Sequence, residues 1–286
     1  MLRFLSGLHA LSLLMVPLAE LQSADPTDSL IFLATFDDGL DAEVGADRRL
    51  RTADSLERQI IRSGNTRTDV RRVAEQNGAR RGAVLRFSGL DTKRITLFSG
   101  TNAGYRERDW NGTVSFWLKL NPDEDLAPGY CDPIQLTDSR WNDGSFFVDF
   151  DKDLPRVFRL GVFSEYAFWN PQDIPWEKVS NEERPMVVVR QPPFVRTDWT
   201  HVAWTFRGIN ASDATAAEAT LFLNGQAAGT LRRPMQLQWD EQNSAIMLGI
   251  AYTGDFDELA IFNRCLEPAE VKLITELQRT LTAAPR

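Results

Sequence analysis

Hydrophobic and polar residues alternate one by one over several short stretches of this chain. Residues 113–120 place apolar side chains at every second position, and residues 199–206 repeat the pattern. Because successive side chains of a strand point to opposite faces, a period of two predicts half-buried β-strands. Shorter apolar runs predict further strands. These runs cover residues 31–36, 146–150, 156–160, 186–190, 221–225, 245–250 and 256–262, with another beginning at residue 83.

Two regions depart from the strand pattern. After Pro268, which suits a first helical turn, aliphatic residues recur every three or four positions, so a short amphipathic helix is predicted over residues 268–281. Residues 41–81 are rich in arginine and show no sustained period. We expect a long surface excursion there, with a short helix around residues 55–61.

Many short strands without helices between them are typical of an all-β fold. We therefore predict a two-layer antiparallel β-sandwich of the jelly-roll type with a short C-terminal helix. Residues 170–184 are heavy in proline and polar residues, and we expect them to form a loop within the sandwich. One domain over residues 28–281 is the economical arrangement.

The N-terminus is typical of an export signal. Arg3 is followed by an uncharged apolar stretch over residues 4–18 and then by small residues. That stretch is shorter than the roughly 20 apolar residues of a membrane-spanning helix. Residues 1–24 are therefore predicted to be a signal peptide, the alternative being a buried N-terminal helix. An exported protein would lie in the periplasm, in the cell envelope or outside the cell, with no transmembrane segment in the mature chain.

The chain is acidic, with a net charge of −8. Such a field repels phosphate backbones and anionic lipid headgroups, so neither nucleic acid nor an anionic membrane surface is an expected partner. A neutral glycan or a divalent cation remains compatible with it. The only two cysteines, Cys131 and Cys265, form either one disulfide or two separate thiols. His201 is expected to be a hydrogen-bonded structural residue.

Several motifs in a fixed order resemble the laminin-G-like jelly-roll branch of the concanavalin A-like lectin/glucanase superfamily. The resemblance spans residues 30–276, and it implies the same sandwich fold. The chain also resembles exported proteins of planctomycete-type bacteria that carry this domain. The motifs are Phe36-Asp37-Asp38, the glycine-bounded run 82–89, residues 113–118, residues 198–206, residues 221–225 and the closing run 254–264.

The resemblance implies one structural calcium ion where the first and last strands lie side by side. Asp37 ends the first strand and Asp257 lies in the closing strand, so these two carboxylates are the candidate metal ligands. Calcium prefers six to eight oxygen ligands, which carboxylates and loop carbonyls supply. The alternative is that both residues cap strand ends by accepting hydrogen bonds from backbone amides.

No catalytic residues are predicted, and an enzyme is not expected. Glucanases that the family resemblance implies carry a Glu-x-Asp-x-x-Glu motif on one strand, and this sequence lacks it. Asp257 and Glu258 are adjacent and would point to opposite faces. Asp149 and Asp151 share a face, but a solvated strand end explains them better. A divergent glycoside hydrolase or polysaccharide lyase is the least favoured alternative.

Carbohydrate binding is the favoured function. Protein sites hold sugars with aromatic faces and planar polar groups, and two loops combine these residue types. Trp141 and Asn142 lie in one of them, and Trp169 and Asn170 in the other. Loops at the ends of a sandwich are where binding residues tend to gather. A protein-recognition surface built from the same loops is the alternative, so the expected partner is a glycan or a cell-surface protein.

Overall fold

A computed structural model describes residues 25–75, 82–89, 91, 93–212 and 217–276. These residues form two antiparallel sheets of eight strands each, which enclose one hydrophobic core. The all-β sandwich predicted from the alternating pattern is confirmed. The predicted signal peptide, residues 1–24, lies outside the described residues.

Sixteen strands make up the two sheets of the described chain. Their bounds, in chain order, are β1 Leu30–Ala34, β2 Arg51–Ala53, β3 Ile61–Ser63, β4 Val70–Glu75, β5 Gly82–Ser88, β6 Ile95–Ser99, β7 Trp110–Lys119, β8 Cys131–Arg140, β9 Asp143–Phe150, β10 Phe158–Phe163, β11 Met186–Val189, β12 Thr200–Ile209, β13 Ala217–Leu223, β14 Gln226–Arg233, β15 Ala245–Ile250 and β16 Thr253–Phe262. Sheet one has the order β14-β13-β12-β7-β16-β5-β4, with β1 also paired to β16. Sheet two has the order β11-β10-β9-β8-β15-β6-β2-β3.

The helices are short. The α-helices are α1 Pro122–Asp125, α2 Tyr166–Trp169 and α3 Pro268–Glu276, and 3₁₀ turns occupy Pro26–Ser29, Gly100–Ala103 and Trp176–Lys178. The predicted C-terminal helix is thus present up to residue 276, and its last five predicted residues lie outside the described part. No helix in the described ranges is long and apolar enough to cross a bilayer.

The first and last strands are neighbours, as the sequence predicts. β1 pairs antiparallel with the second half of β16, where Leu33 lies opposite Ala260. The first half of β16 pairs with β5, where Phe256 lies opposite Leu85. Strand β7 runs along the other edge of β16. The last strand, β16, therefore holds the first strand, β1, in sheet one.

Aromatic side chains fill the space between the sheets. Trp110 and Trp204 are fully buried there. The Trp110 ring meets Phe146 and Phe206 edge-on, with ring centroids 5.3 and 5.0 Å apart. Such edge-to-face pairs add about 0.5–1.5 kcal/mol to the gain from burial. These rings set the distance between the sheets.

Helix α3 covers part of the outer face of sheet one and is tied to it by His201. The imidazole is 1 % exposed, with Nδ1 2.8 Å from Thr275 Oγ1 and Nε2 2.8 Å from Ser115 Oγ. The Thr275 hydroxyl donates to the Val271 carbonyl, so it accepts from Nδ1–H, and Nε2 then accepts from Ser115. His201 has the structural role expected from the sequence.

The described part of the arginine-rich stretch, residues 41–75, contains more regular structure than its sequence predicts. It contributes β2 and β3 to sheet two and β4 to the edge of sheet one. The helix expected over residues 55–61 is wrong, because the backbone turns there at Arg58, whose φ is +53°. Strands of three residues are too short to show a period. Most side chains of the edge strand β4 face solvent, so its sequence shows no clear alternation of apolar and polar residues.

Candidate functional site

A groove of about 450 Å³ lies on the outer face of sheet two. Its floor is formed by Gln135 of β8, Phe147 of β9 and Met247 of β15, which are neighbours across the sheet. Gly161 of β10 comes next in this row, and a Cβ there would approach the Phe147 ring to 2.4 Å. The absence of a side chain at Gly161 leaves room for the Phe147 ring, which forms part of the floor. We call this depression the outer groove.

One wall of the outer groove is the turn between β2 and β3. Arg58 holds this turn against sheet two, because its Nη2 donates to the carbonyl oxygens of Asp138 and Asn243 at 2.8 and 3.2 Å. Leu56, on the same turn, lines the groove and remains exposed. A turn that looks like a surface excursion in the sequence therefore shapes the site.

Two tryptophans form the opposite wall. Trp141 lies at the tip of the β8–β9 hairpin and is 38 % exposed. Its ring meets that of Trp176 edge-on at 5.1 Å, and the Arg184 guanidinium lies 4.3 Å from the Trp176 ring centroid. Because Trp176 belongs to the proline-rich loop 170–184, this loop packs back onto the sheet and presents an aromatic surface to the groove.

The far end of the outer groove carries buried charges. Arg159 of β10 lies opposite Asp149 of β9, and its Nε and Nη2 donate to the two carboxylate oxygens, the Nε bond being 2.8 Å. Asp149 is 3 % and Arg159 7 % exposed. Arg159 Nη1 also lies 3.5 Å from Asp151, and the guanidinium carbon lies 5.0 Å from the Tyr130 ring centroid. The interpretation of Asp149 as part of a solvated strand end is wrong. Its position on an interior strand of sheet two buries it, and Arg159 neutralises its charge.

Asp132 adds a second carboxyl group beside this pair. A bulge in β8, which contains Pro133, places Asp132 next to Asp149 across the sheet and opposite Ile250 of β15. Its side chain lines the groove, and among the described residues no protein donor hydrogen-bonds to its carboxyl group. Burial, and then the Asp149 charge, raise its pKa well above 3.8, and only the Arg159 charge opposes this rise.

The four ligand-binding residues predicted from the sequence occupy different places. Trp141 lines the outer groove. The Asn142 carbonyl accepts a 2.8 Å hydrogen bond from Trp169 Nε1, which links the two predicted loops. Asn170 is buried and exchanges hydrogen bonds with the Ile174 backbone, so its side chain holds its own loop together. The structure thus places Trp141 in the groove wall and the other three behind it.

Sequence reasoning missed most of the charged end. Asp149 and Arg159 are single charges within otherwise apolar strands, and this is the signal that could have pointed to them. A charge in the middle of a buried strand needs a partner. Which partner it meets depends on strand pairing, which the sequence does not show. Tyr130 and Asp132 lie before and within a bulge, where alternation gives no reliable direction.

The two candidate calcium ligands lie beside the junction of β1, β5 and β16. An Asp37 carboxylate oxygen accepts a 2.9 Å hydrogen bond from the Ala83 amide, and one from Asp257 accepts a 2.9 Å bond from Glu258 N. Among the residues that the structure describes, no group of three or more His, Cys, Asp or Glu side chains is placed to hold a metal ion. Side chains alone would not satisfy calcium here, so carbonyl oxygens would have to complete any site. The calcium ion stays a prediction.

Solved structures with a similar fold are carbohydrate- and receptor-binding domains. One is domain 4 of AbnA, a GH43 extracellular arabinanase from Geobacillus stearothermophilus, in complex with arabinotriose, with a TM-score of 0.50 and 16 % identity over 87 % of this chain and 98 % of that one. Another is the binding domain of botulinum neurotoxin DC in complex with SialylT, with a TM-score of 0.56 and 12 % identity. That match covers 89 % of this chain and 52 % of the toxin chain. At these identities the likeness shows the fold alone.

Family membership is established by sequence. No curated protein matches the chain. A family model of the laminin-G type, described as the concanavalin A-like lectin/glucanases superfamily, matches residues 101–272. The match contains β7 to β16 and most of α3, and therefore both walls of the sandwich. The family match and the jelly-roll architecture together show that this chain belongs to the concanavalin A-like lectin/glucanases superfamily.

Proposed function

We propose that this chain is an exported, non-catalytic carbohydrate-binding module and that the outer groove is its ligand site. The observation that carries the proposal is the combination of exposed aromatic walls and buried polar groups in one depression of a lectin-type sandwich. The groove volume of about 450 Å³ lies within the range of roughly 300–1,000 Å³ that is usual for small-molecule sites. Two similar folds were solved with an oligosaccharide or a sialylated ligand, which supports the same class of ligand here.

The groove offers both kinds of contact that a sugar needs. Trp141 and Trp176 present apolar surface to sugar C–H groups, while Gln135 and Asp132 offer hydrogen-bonding groups to hydroxyls. Gln135 is nearly fully buried, which fixes the direction of its amide. Aromatic residues in well-packed pockets dominate the binding energy of many sites. We therefore assign the main affinity to the tryptophan wall and the selectivity to the polar floor.

The arrangement of carboxyl groups favours binding over hydrolysis. Glycoside hydrolysis needs two functional carboxyl groups, one of them free to act as nucleophile or base. Asp149 is held by two hydrogen bonds from Arg159, so its oxygens are committed to a neighbouring side chain. Of the Asp132 and Asp149 carboxyl groups that line the charged end, only that of Asp132 is then uncommitted. The similar solved domains are mainly binding domains as well.

A pair of tryptophan variants tests the proposed site. Trp141→Ala removes part of the groove wall. Trp199→Ala removes a tryptophan outside the groove, directly before β12, where Lys119 Nζ lies 4.9 Å from its ring centroid. On a glycan array followed by calorimetry, the first variant should bind the selected glycan about tenfold more weakly, equal to about 1.4 kcal/mol. The second should bind like the unmodified protein. Equal binding by both variants would place the site elsewhere, and no glycan binding at all would refute the proposal.

We also propose that one structural calcium ion binds at Asp37 and Asp257 and links the terminal strands. Their position at the β1–β16 junction supports this, although each carboxylate already accepts a backbone amide hydrogen bond. An ion that binds only the folded state raises the melting temperature by mass action. Chelator should lower the melting temperature of the unmodified protein but not of Asp257→Asn. An identical melting temperature of the unmodified protein with calcium and with chelator would refute the proposed calcium site.

Export is part of the proposal and is directed by residues 1–24. Cell fractionation of a full-length chain and one lacking residues 4–18 should find the first outside the cytoplasm and the second inside. Protein recognition is the competing function for the same groove. A pulled-down protein partner that excess glycan does not displace would favour it.

A further inference from the structure

The charged end of the outer groove has an excess of negative charge. Three carboxyl groups, from Asp132, Asp149 and Asp151, lie around the single guanidinium of Arg159. Arg159 directs two hydrogen bonds to Asp149 and lies 3.5 Å from Asp151. Within the described residues, no other cationic side chain lies within 4.0 Å of these three carboxyl groups. One carboxyl group in the groove is therefore left for a ligand.

The other arginines that line the groove cannot fill this role. Arg58 lies at the opposite end, where its guanidinium donates to the carbonyl oxygens of Asp138 and Asn243. Arg140 is mostly exposed and stacks over the Tyr166 ring, 5.0 Å from its centroid. Both are committed to contacts at the hairpin end. Arg58 also has Asp138 and Glu57 nearby, and Arg140 has Asp143, so neither arginine balances the carboxyl groups at the far end of the groove.

Resting on the proposed carbohydrate-binding function, we propose that Asp132 and its neighbours bind a protonated amino group, so that the groove prefers glycans with free 2-amino-2-deoxy sugars. An ammonium group supplies three donors and the positive charge that this end lacks. Its attraction to carboxylates grows as the surroundings exclude water. The net charge of −8 further favours a cationic glycan over one that carries uronates or sulfates.

A metal ion fits the same carboxyl groups less well. Calcium and magnesium require several free oxygen ligands, and Asp149 is already occupied by Arg159. The positive guanidinium would also lie beside the ion. In the part of the chain that the structure describes, no three His, Cys, Asp or Glu side chains are placed to hold a metal ion together. An organic ammonium group suits the geometry better, because it does not have to be surrounded by oxygen ligands and can bind acceptors on one side only.

The titration of Asp132 gives the proposal a second signature. The charged groups that act on it are Asp149 of β9 and Arg159 of β10. Tyr130 and the apolar Ile250 of β15 line the groove beside it, and Asp151 lies on the other side of Arg159. Burial and the Asp149 charge raise the pKa of Asp132, so below that pKa the free groove holds a proton, which a bound ammonium would displace. Affinity for an amino sugar should therefore rise with pH up to the free-state pKa of Asp132. Affinity for a neutral sugar should not follow this course.

Three tetrasaccharides with the same β-1,4 backbone provide the test. They carry a hydroxyl, an N-acetyl or a free amino group at C2 of each sugar, and binding to the full chain is measured by calorimetry at a pH that protonates the amines. The amino form should bind about tenfold more tightly than either neutral form. Asp132→Asn, which keeps the shape of the side chain and a hydrogen-bonding oxygen, should reduce that preference to about twofold, because the loss of charge weakens the amino form more than either neutral form.

The control variant is Asp198→Asn, because Asp198 is exposed on a loop and its replacement changes the net charge equally. It should keep the full preference for the amino form. Neutral forms that bind as tightly as the amino form would overturn this inference but leave the proposed function intact. Loss of the preference in the control would reduce it to a general charge effect and overturn it too. Binding of none of the three would overturn this inference, and the glycan array described above then decides whether the proposed function falls with it.

Discussion

At the scale of single residues, the most consequential contact is between Arg159 and Asp149. Both side chains are at least nine-tenths buried on interior strands of sheet two. Burying one charge costs far more free energy than burying a matched pair, because water no longer screens it. The pair therefore keeps the charged end of the outer groove in place, and either member alone would be costly.

Replacing Arg159 should expose this cost. Arg159→Met leaves Asp149 buried without its main donor, so the free energy of unfolding should fall by about 3–5 kcal/mol. Urea denaturation followed by tryptophan fluorescence measures the loss. Arg196→Met removes an arginine from an exposed pair with Asp125 and serves as the matched control. It should leave the unfolding midpoint unchanged, and equal effects of both variants would contradict a special cost of burial.

The raised pKa of Asp132 makes stability depend on pH. Burial and the Asp149 charge favour the protonated carboxyl in the folded state. Between the ordinary pKa of 3.8 and the folded pKa, the folded protein therefore binds more protons than the unfolded chain. The contribution of Asp132 is fully present below the unfolded pKa and is lost as pH rises through the folded pKa.

Asp132→Asn removes this titration. Its stability should decline less than that of the unmodified protein as pH rises above 3.8, and at neutral pH the variant should be the more stable one. Urea unfolding at a series of pH values provides the comparison. Parallel stability curves for the two proteins would show that the Asp132 pKa is the same in the folded and unfolded states. A binding group that lowers stability is common at functional sites.

At the scale of elements, helix α3 depends on one polar contact as well as on its apolar stripe. Thr275 accepts from the His201 imidazole and donates to the Val271 carbonyl. Thr275→Val should leave the buried Nδ1–H of His201 without an acceptor and cost about 1–3 kcal/mol of stability. Leu273→Ala changes an exposed side chain on the same helix and should cost clearly less. Thermal melts measure the stability of both variants. Equal melting temperatures would show that the hydrogen bond between Thr275 and His201 does not stabilise the helix.

The sequence predicts long elements better than short ones. β7 and β12 have ten residues each, so their alternation is visible, and both are confirmed as neighbours in sheet one. β2 and β3 have three residues each and acquire their identity only by pairing with β6 and with each other. Turn residues such as Arg58, which shape a wall of the groove, were therefore hidden in a region predicted to be irregular.

The sequence predicts only the part of the candidate site that depends on local composition. Trp141 lies in a loop whose mixture of aromatic and polar residues marks it as a binding segment. The segment around Trp176 has a similar mixture of residues. Trp176 reaches the groove only because its loop folds onto Trp141. Asp149 and Arg159 meet because their strands pair in one register, and a shift by one residue would turn both to other faces.

At the scale of the whole molecule, the sandwich is held by packing without covalent links. Cys131 is buried at the start of β8 in sheet two, and Cys265 follows β16 of sheet one, and both are free thiols. Burial raises the pKa of Cys131 to about 11 and also raises that of Cys265. At neutral pH both thiols therefore stay protonated, which makes them weak nucleophiles.

Alkylation followed by mass spectrometry tests this arrangement. In native protein at neutral pH, Cys131 should resist iodoacetamide, and it should react once urea unfolds the chain. Cys265 is only half-buried and should react faster than Cys131 in the native state. Reductant should not change the melting temperature. A drop in melting temperature with reductant, or a mass lower by two hydrogen atoms before reduction, would indicate a disulfide instead.

The pairing of β1 with β16 has a consequence for how the protein is made. Leu30 finds its partner at Phe262, so sheet one stays incomplete until the ribosome has released almost the entire domain. Contacts so distant along the chain also form slowly, because loop closure must precede them. A newly made chain is thus expected to remain incompletely folded for some time after synthesis. This delay fits the export that we propose, in which the chain crosses a narrow translocation channel before it folds.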